Sequence, residues 1–597
     1  MTIQANFPAI KPSLMLDFAN TKQLDSRITY TRASTATFYN GVTTAMAEQN
    51  LLLQSQTFNT SWNASNCTIT LNSTTAPDGT TTASTLTALA GTASLYPNTA
   101  IPILANTNYT VSFYVKQGTG GWLLINLWTG STNNGVSQWV NMSTGALGTS
   151  SATAGFSVTS SAVSNVGSGW YRVSLVGQST TATNIYPNIR HVDGDNSFAF
   201  TTTTGLYSYI WGAQVEQRSA VTAYTATTTQ AITNYIPVLQ TAASGVARFD
   251  NNPTTGESLG LLIEESRTNL LTYSSQFDDA AWTKGGVSAT ANAIVSPDGT
   301  LNAERLVEDT STGDHRIYQQ TSFTSGTAYA FTVYAKAAGR NLLQLFNSGS
   351  IALNVTFDLS SGTITNTSSG TGAITSVGNG WYRCSVSATA SATAVANNQI
   401  RLVSTGTTTS YTGDGWSGVY LWGAQVEAGA FATSYIPTVA SQVTRAADAA
   451  SMTGTNFSSW YNAGEGTLYA EAVSFGASSN TFSISDGTSS NWIYLISRQN
   501  AVSASGAVVN ANGTTQASLG SFTFSTTNKI ALGYKANDFG ASVNSATVIT
   551  DTSGIIPITN AAYLGARGDG FSSSQTIKKI AYYPLKVSSA NLQALTS

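Results

Sequence analysis

Tyr109-Thr110-Val111-Ser112-Phe113-Tyr114-Val115-Lys116 and Tyr329-Ala330-Phe331-Thr332-Val333-Tyr334-Ala335-Lys336 are two versions of one strand in a chain of 597 residues. In the first, every odd position is apolar or aromatic and three of the four even positions are polar. That alternation is the period of a strand with one buried face. The octets belong to a longer ordered series. Asn50-Leu51-Leu52 returns as Asn269-Leu270-Leu271, Phe58 and Trp62 as Phe277 and Trp282, and Ala76-Pro77-Asp78-Gly79-Thr80 as Ser296-Pro297-Asp298-Gly299-Thr300. Val166-Gly167-Ser168-Gly169-Trp170-Tyr171-Arg172 returns as Val377-Gly378-Asn379-Gly380-Trp381-Tyr382-Arg383. Trp211-Gly212-Ala213-Gln214-Val215-Glu216 recurs unchanged as Trp422-Gly423-Ala424-Gln425-Val426-Glu427. Matches held in order over this length define a duplicated domain.

Turn chemistry such as Pro77-Asp78-Gly79 separates the strands at short intervals, which predicts sandwiches or jelly rolls. Trp170, Trp211, Trp381 and Trp422 are expected in the cores, where such rings dominate buried area. The fold class is therefore all-β, with tandem β-sandwich (jelly-roll) domains. The expected division is a leader over 1–47, a first module over 48–227, an ordered junction over 228–267, a second module over 268–440, a junction over 441–454 and a different sandwich over 455–597. Thr444-Arg445-Ala446 in the second junction echoes Thr31-Arg32-Ala33 in the leader. A short helical turn capped by Ser588 is expected near the end.

Hydrophobic residues make up 41% of the chain, enough for several cores, whereas charged residues are only 9% against a norm of about 25%. Ser, Thr, Asn and Gly must supply the polar surface. A net charge of −3 with no basic run excludes nucleic acid as an expected partner. A nearly uncharged polar surface suits hydroxyl-rich partners such as glycans, and equally a surface built for solubility. Cys67 and Cys384 lie in different modules, so neither a disulfide scaffold nor a cysteine metal site is expected, and each reads as a buried thiol. The start, Met-Thr-Ile-Gln-Ala-Asn-Phe-Pro, has no basic region followed by an apolar stretch, and no apolar run reaches 18 residues. Neither a signal peptide nor a membrane span is expected.

The set Pro12-Ser13-Leu14 to Phe18, Ile28 to Ser34, Gly260-Leu261-Leu262-Ile263-Glu264-Glu265-Ser266-Arg267-Thr268-Asn269, Gly-x-Gly-Trp-Tyr-Arg and Trp-Gly-Ala-Gln-Val-Glu resembles tailed-bacteriophage head spike, head fibre or tail fibre proteins over roughly 10–450. The modules are similar in outline to carbohydrate-binding jelly rolls. The 455–597 segment, closing on Tyr582-Tyr583-Pro584-Leu585, resembles a concanavalin A-like or laminin G-like, lectin-like β-sandwich. The resemblance implies a virion appendage made in the bacterial host cytoplasm, commonly a homotrimer, joined to other virion proteins through its N-terminal segment and meeting host-surface polysaccharide. It supplies no catalytic residue.

The expected function is thus structural and adhesive, without enzymatic activity. The alternatives are a polysaccharide-degrading tailspike and a purely decorative capsid or tail fibre. A tailspike of that kind calls for short β-helix repeats, and the repeat here spans about 220 residues. His191 and His315 are the two histidines, and a surface or interface place is expected for His315. Adjacent Glu264 and Glu265 would point to opposite faces of a strand and cannot converge on a glycosidic bond. Glu216 and Glu427 close a repeated strand, a structural pattern. Arg567-Gly568-Asp569 is read as a loop coincidence. No cofactor is expected beyond a structural calcium ion. Asp193 and Asp195 in the first module, and Asp414 in the second, stand in acid-glycine loops that could contribute to one or form ordinary turns. The ligand signal is asymmetric: Trp122, Trp128 and Trp139 occur only in the first module, and Trp139 should face away from the core-facing Val140 and Met142. An aromatic there suits a sugar ring or a neighbouring subunit. Trp416, in a loop of the second module, is a further candidate.

Overall fold

The computed structural model describes residues 10–597 except 90, 132, 202–203, 476–478, 500–503 and 524. The described chain is all-β, built from antiparallel sheets stacked as sandwiches. In the first module a front sheet contains Trp122–Trp128, Gly135–Asn141 and Thr183–Val192, and a back sheet contains Tyr109–Gln117, Trp170–Ser179 and Tyr207–Glu216. Val111, Phe113 and Val115 from the back meet Leu123, Ile125 and Leu127 from the front. The second module repeats this with Phe331 and Val333 against Leu343 and Leu345. Period two thus decides which residues meet between the sheets.

The identical Trp-Gly-Ala-Gln-Val-Glu strand explains its own invariance. Its ladder slips between Trp211 and Gln214, and again between Trp422 and Gln425. Gly212 and Gly423 occupy the slip at φ +60° and +62°, a left-handed conformation natural to glycine in a bulge. Alternation resumes one residue later, so Ile210, Ala213 and Val215 enter the core while Trp211, Gln214 and Glu216 face outward. The four expected core tryptophans are therefore buried, yet outside the inter-sheet cores. Trp211 packs against Tyr114 and Tyr224 at 5.1 and 4.6 Å, and Trp422 against Tyr334 and Tyr435 at 5.2 and 4.6 Å.

Polar side chains fasten the same layer in both copies. Asn50 and Asn269 donate to the carbonyls of Ala213 and Ala424 at 2.9 and 3.1 Å. Gln214 and Gln425 accept the N–H of Thr225 and Ile436, each at 2.7 Å. Glu216 and Glu427 accept the N–H and hydroxyl of Thr222 and Thr433.

The third sandwich draws on more of the chain than 455–597. Leu14–Asp17 pairs with Gln575–Tyr583, and Thr29–Thr31 pairs with Ala449–Thr453. Ser258–Ile263 also pairs with Gln575–Tyr583, and Arg248–Asn251 extends that edge. The leader and both junctions thus supply strands to this base rather than standing apart. The reason is elementary: Leu14, Leu16, Leu261 and Ile263 need a partner face, and the base core holds them all. Each module is an insertion into the base. The first hangs from a ribbon of Ala36–Asn50 against Ile232–Ala242, and the second from Arg267–Asn269 against Val443–Arg445.

The long ribbon lies across the back of the second module, where Tyr39, Ile236 and Leu239 pack with Val377, Trp381 and Trp422. Lys336 pairs there with Glu48. Beneath it, charged groups from separate segments are buried together. Arg248 bridges Glu264 at 2.7 Å and Asp448 at 2.6 Å, Arg445 reaches Glu264 at 2.8 Å, and Arg32 reaches Asp448 at 3.2 Å. The echo between Thr31-Arg32-Ala33 and Thr444-Arg445-Ala446 marks two guanidinium groups of this one network. Burial alone would raise the Glu264 carboxyl, but Arg445 and Arg248 hold it down at about 2. Ser588 caps the closing helix Ser589–Leu595, accepting from the Asn591 N–H. No helix among the described residues is long and apolar enough to cross a membrane.

Candidate ligand-binding face of the first module

The front sheet of the first module turns Trp122, Leu124, Asn126 and Trp128 outward from one strand. Their cross-strand partners are Asn141, Trp139, Ser137 and Gly135 on one side, and Val192, Arg190, Asn188 and Tyr186 on the other. Trp139 does face away from the core, as its alternation with Val140 requires. It is nevertheless fully buried, because the chain covers it. Phe198 meets its ring at 4.9 Å, Leu124 and Val192 flank it, and its indole N–H donates to the Ser197 carbonyl at 2.7 Å. Trp122 packs half-buried against the same cluster.

The covering loop is held by the two aspartates singled out for calcium. Asp193 accepts the N–H and hydroxyl of Thr201, and Asp195 accepts those of Thr149 at 2.7 and 2.9 Å. Asp414 accepts the N–H groups of Trp416 and Ser417 at 2.9 and 2.7 Å, with Arg340 3.6 Å away. Asp414 shapes its own turn, whereas Asp193 and Asp195 tie the covering loop down through residues eight and 46 positions away. Among the described residues, no three His, Cys, Asp or Glu side chains converge on one point.

Trp416 is half-buried and lies against the first module. A β-carbon on Gly79 would stand 2.7 Å from its Nε1, and one on Gly339 3.0 Å from its ring. The ring therefore lies on the Pro77-Asp78-Gly79 turn of the first module. It is a contact between two modules of one chain. A β-carbon on the matching Gly299 would instead stand 2.9 Å from Ala45 and 2.8 Å from Val238 of the ribbon.

At the other end of the front face three aromatic rings stay partly exposed. Trp128 meets Tyr96 edge-on at 5.3 Å and Tyr186 at 5.9 Å, and the two tyrosines lie 6.1 Å apart. All three are half-buried, and the Trp128 indole N–H is fixed on the Ser131 carbonyl. Next to this triad lies a polar strip. Asn188 accepts from Ser94 at 2.9 Å, and the Oδ1 of buried Asn126 makes no hydrogen bond. Arg190 donates to Asn133 at 3.1 Å, and burial pulls its guanidinium down to about 10. Tyr96 and Tyr186 escaped sequence reasoning. The available signal was phase, since each sits opposite in alternation to the core residues Leu95 and Ile185.

Both histidines are buried, not superficial. His191 lies 3.4 Å from the Leu86 carbonyl, and His315 packs on Tyr411 at 4.6 Å with no hydrogen bond to either ring nitrogen. Gly286 and Gly413 make the space for His315, since a β-carbon on either would crowd its ring nitrogens at 3.1 and 2.6 Å. Glu264 belongs to the buried ion network, whereas its neighbour Glu265 pairs with Arg267 near the surface. Arg567 pairs with Asp569 at 2.8 Å inside its own loop. Cys67 and Cys384 are buried free thiols, and burial pushes Cys67 up to about 11. No protein-family model matches the chain, and no curated protein matches it at a significant level.

Proposed function

We propose that the chain is a non-enzymatic structural protein of a phage virion, a fibre or spike, whose first module holds host-surface glycan on the face formed by Tyr96, Trp128 and Tyr186. The observation that carries this reading is the triad itself: three aromatic rings gathered, half-exposed, on an outer sheet face. Aromatic rings present a large apolar surface to the C–H face of a sugar, while neighbouring polar groups fix its hydroxyls. Asn126 and Arg190 beside the triad are themselves almost fully buried, so the rings carry the reading. The scarcity of charge agrees with a neutral, hydroxyl-rich ligand. The carboxylates considered for hydrolysis bond to the chain's own donors, which supports binding over catalysis. Assembly as a homotrimer on a particle would multiply weak contacts into useful avidity.

A glycan array probed with the full chain, alongside Trp128→Ala and Tyr186→Ala, tests the reading. Retention on the preferred glycan should fall at least tenfold in each variant. Unchanged retention in both would remove the triad from the function.

A further inference from the structure

We infer that the second module carries a saccharide site of its own, in a cleft at the edge of its front sheet. The cleft is open to solvent, has a volume of about 460 Å³, and is lined by Thr272, Thr283, Tyr318, Gln319, Gln320 and Gln442, with Leu270 and Ala281. This volume lies within the ordinary range of small-molecule sites, about 300–1,000 Å³. It opens beside the pair formed by Thr283–Gly285 and Arg316–Phe323.

Duplication supplies an internal control. Tyr96 stands opposite Asn63 in the first module, as Tyr318 stands opposite Thr283 in the second. At the corresponding place the first module has a narrower cavity of 200 Å³, with Leu51, Leu53, Pro97, Ala100 and Ile101 in its wall. Positions that the fold requires are the same in both copies, as Asn50 and Asn269 or Glu216 and Glu427 show. In the cleft the copies part: Leu53, Pro97 and Asn98 are replaced by Thr272, Gln319 and Gln320. The sandwich therefore does not need a polar cleft, and its presence in one copy points to a ligand.

The lining defines that ligand's chemistry. Gln319 braces the floor, accepting the Thr272 N–H at 2.8 Å and donating to the Thr272 carbonyl at 3.0 Å. Tyr318 is half-buried, with the Arg316 guanidinium 5.9 Å from its ring centre. Thr283, Gln320 and Gln442 are exposed and offer hydroxyl and amide groups. None of the lining residues is ionised. The two cations beside it are engaged: Lys284 by the carbonyls of Asp278, Asp279 and Trp282, and Arg316 by Asp314 at 3.3 Å. A neutral sugar residue could stack on the Tyr318 ring face that Arg316 leaves free and bond to the amides.

This inference shares its ligand class with the proposed function, and Tyr318 is the counterpart of Tyr96 in the triad, but the two sites lie in different modules and one experiment separates them. The full chain, Trp128→Ala, and Trp128→Ala combined with Tyr318→Ala or Thr283→Trp are titrated with maltotetraose, cellotetraose and chitotetraose, read by saturation-transfer NMR. Thr283 is exposed, so tryptophan there fills the cleft without entering a core. With the first-module site removed, at least one sugar should still bind, and either cleft substitution should weaken it at least tenfold. Residual binding indifferent to both cleft substitutions overturns the inference, as does a chain that takes up none of the three. Loss of all binding in Trp128→Ala alone overturns it while leaving the proposed function standing. Binding untouched by Trp128→Ala but abolished by Thr283→Trp supports it and removes the triad.

Discussion

Replacing Glu264 by Gln should loosen the base sandwich and both of its insertions together. Glu264 is 2% exposed and accepts Arg248 at 2.7 Å, Arg445 at 2.8 Å and the Ser434 N–H at 2.7 Å. Glutamine removes the charge and turns one acceptor into a donor that faces two guanidinium groups. Breaking a buried ion pair from one side costs about 3–5 kcal/mol, because the surviving charge stays desolvated. The carboxyl gives a similar magnitude. Its folded pKa of about 2 lies below the unfolded value of 4.5, a difference worth about 3 kcal/mol. A unit of this size loses about 2–4 °C of melting temperature per kcal/mol, so the shift should be roughly 6–20 °C. Calorimetry, with hydrogen exchange on Gln575–Tyr583 to identify the base transition, measures it. The sign with pH is fixed: a lowered carboxyl contributes fully above its unfolded pKa and loses that contribution as pH falls toward 2. The wild-type transition should therefore drop between pH 4.5 and 2 by a component that Glu264→Gln lacks. A shift under about 2 °C at pH 7, or identical acid profiles, would refute the idea that this network ties the insertions to the base.

Trp139→Ala should destabilise the first module by about 3–5 kcal/mol in denaturant titration, as a cavity under Phe198 would, while glycan retention by the triad stays unchanged. Trp416→Ala should release the turn at Gly79, enlarging the radius of gyration in small-angle scattering with little change in melting. Gly79→Ala should be costly in itself, since φ is +82° and the new β-carbon would meet Trp416 at 2.7 Å. Glu427→Gln should lower the stability of the second module by about 1–3 kcal/mol, because the Thr433 N–H and hydroxyl lose a charged acceptor. Glu216→Gln should do the same to the first, and calorimetry of both variants would show two separate transitions moving.

How much was legible can be judged from particular residues. Alternation in Tyr109–Gln117 placed Val111, Phe113 and Val115 in the core without any coordinates. The same logic put Trp139 on the opposite face, but nothing local showed that Phe198 would close over it. The triad was half visible: Trp128 stood out by its absence from the second copy, whereas Tyr96 and Tyr186 looked like ordinary strand tyrosines. The cleft around Tyr318 was invisible, because its walls come from positions 270 to 442 and none carries a motif.

What the sequence determined by itself was the duplication, the all-β class and the inward face of unbulged strands such as Tyr109–Gln117. These follow from repeat and period, which are local properties of the chain. What only the tertiary structure decided was ownership: which sandwich takes Leu14–Asp17, which module Trp416 touches, and which aspartates spend their oxygens on neighbouring threonines. Such pairings join residues hundreds of positions apart, and they are chosen by which apolar faces and charges remain uncovered once the local strands have formed.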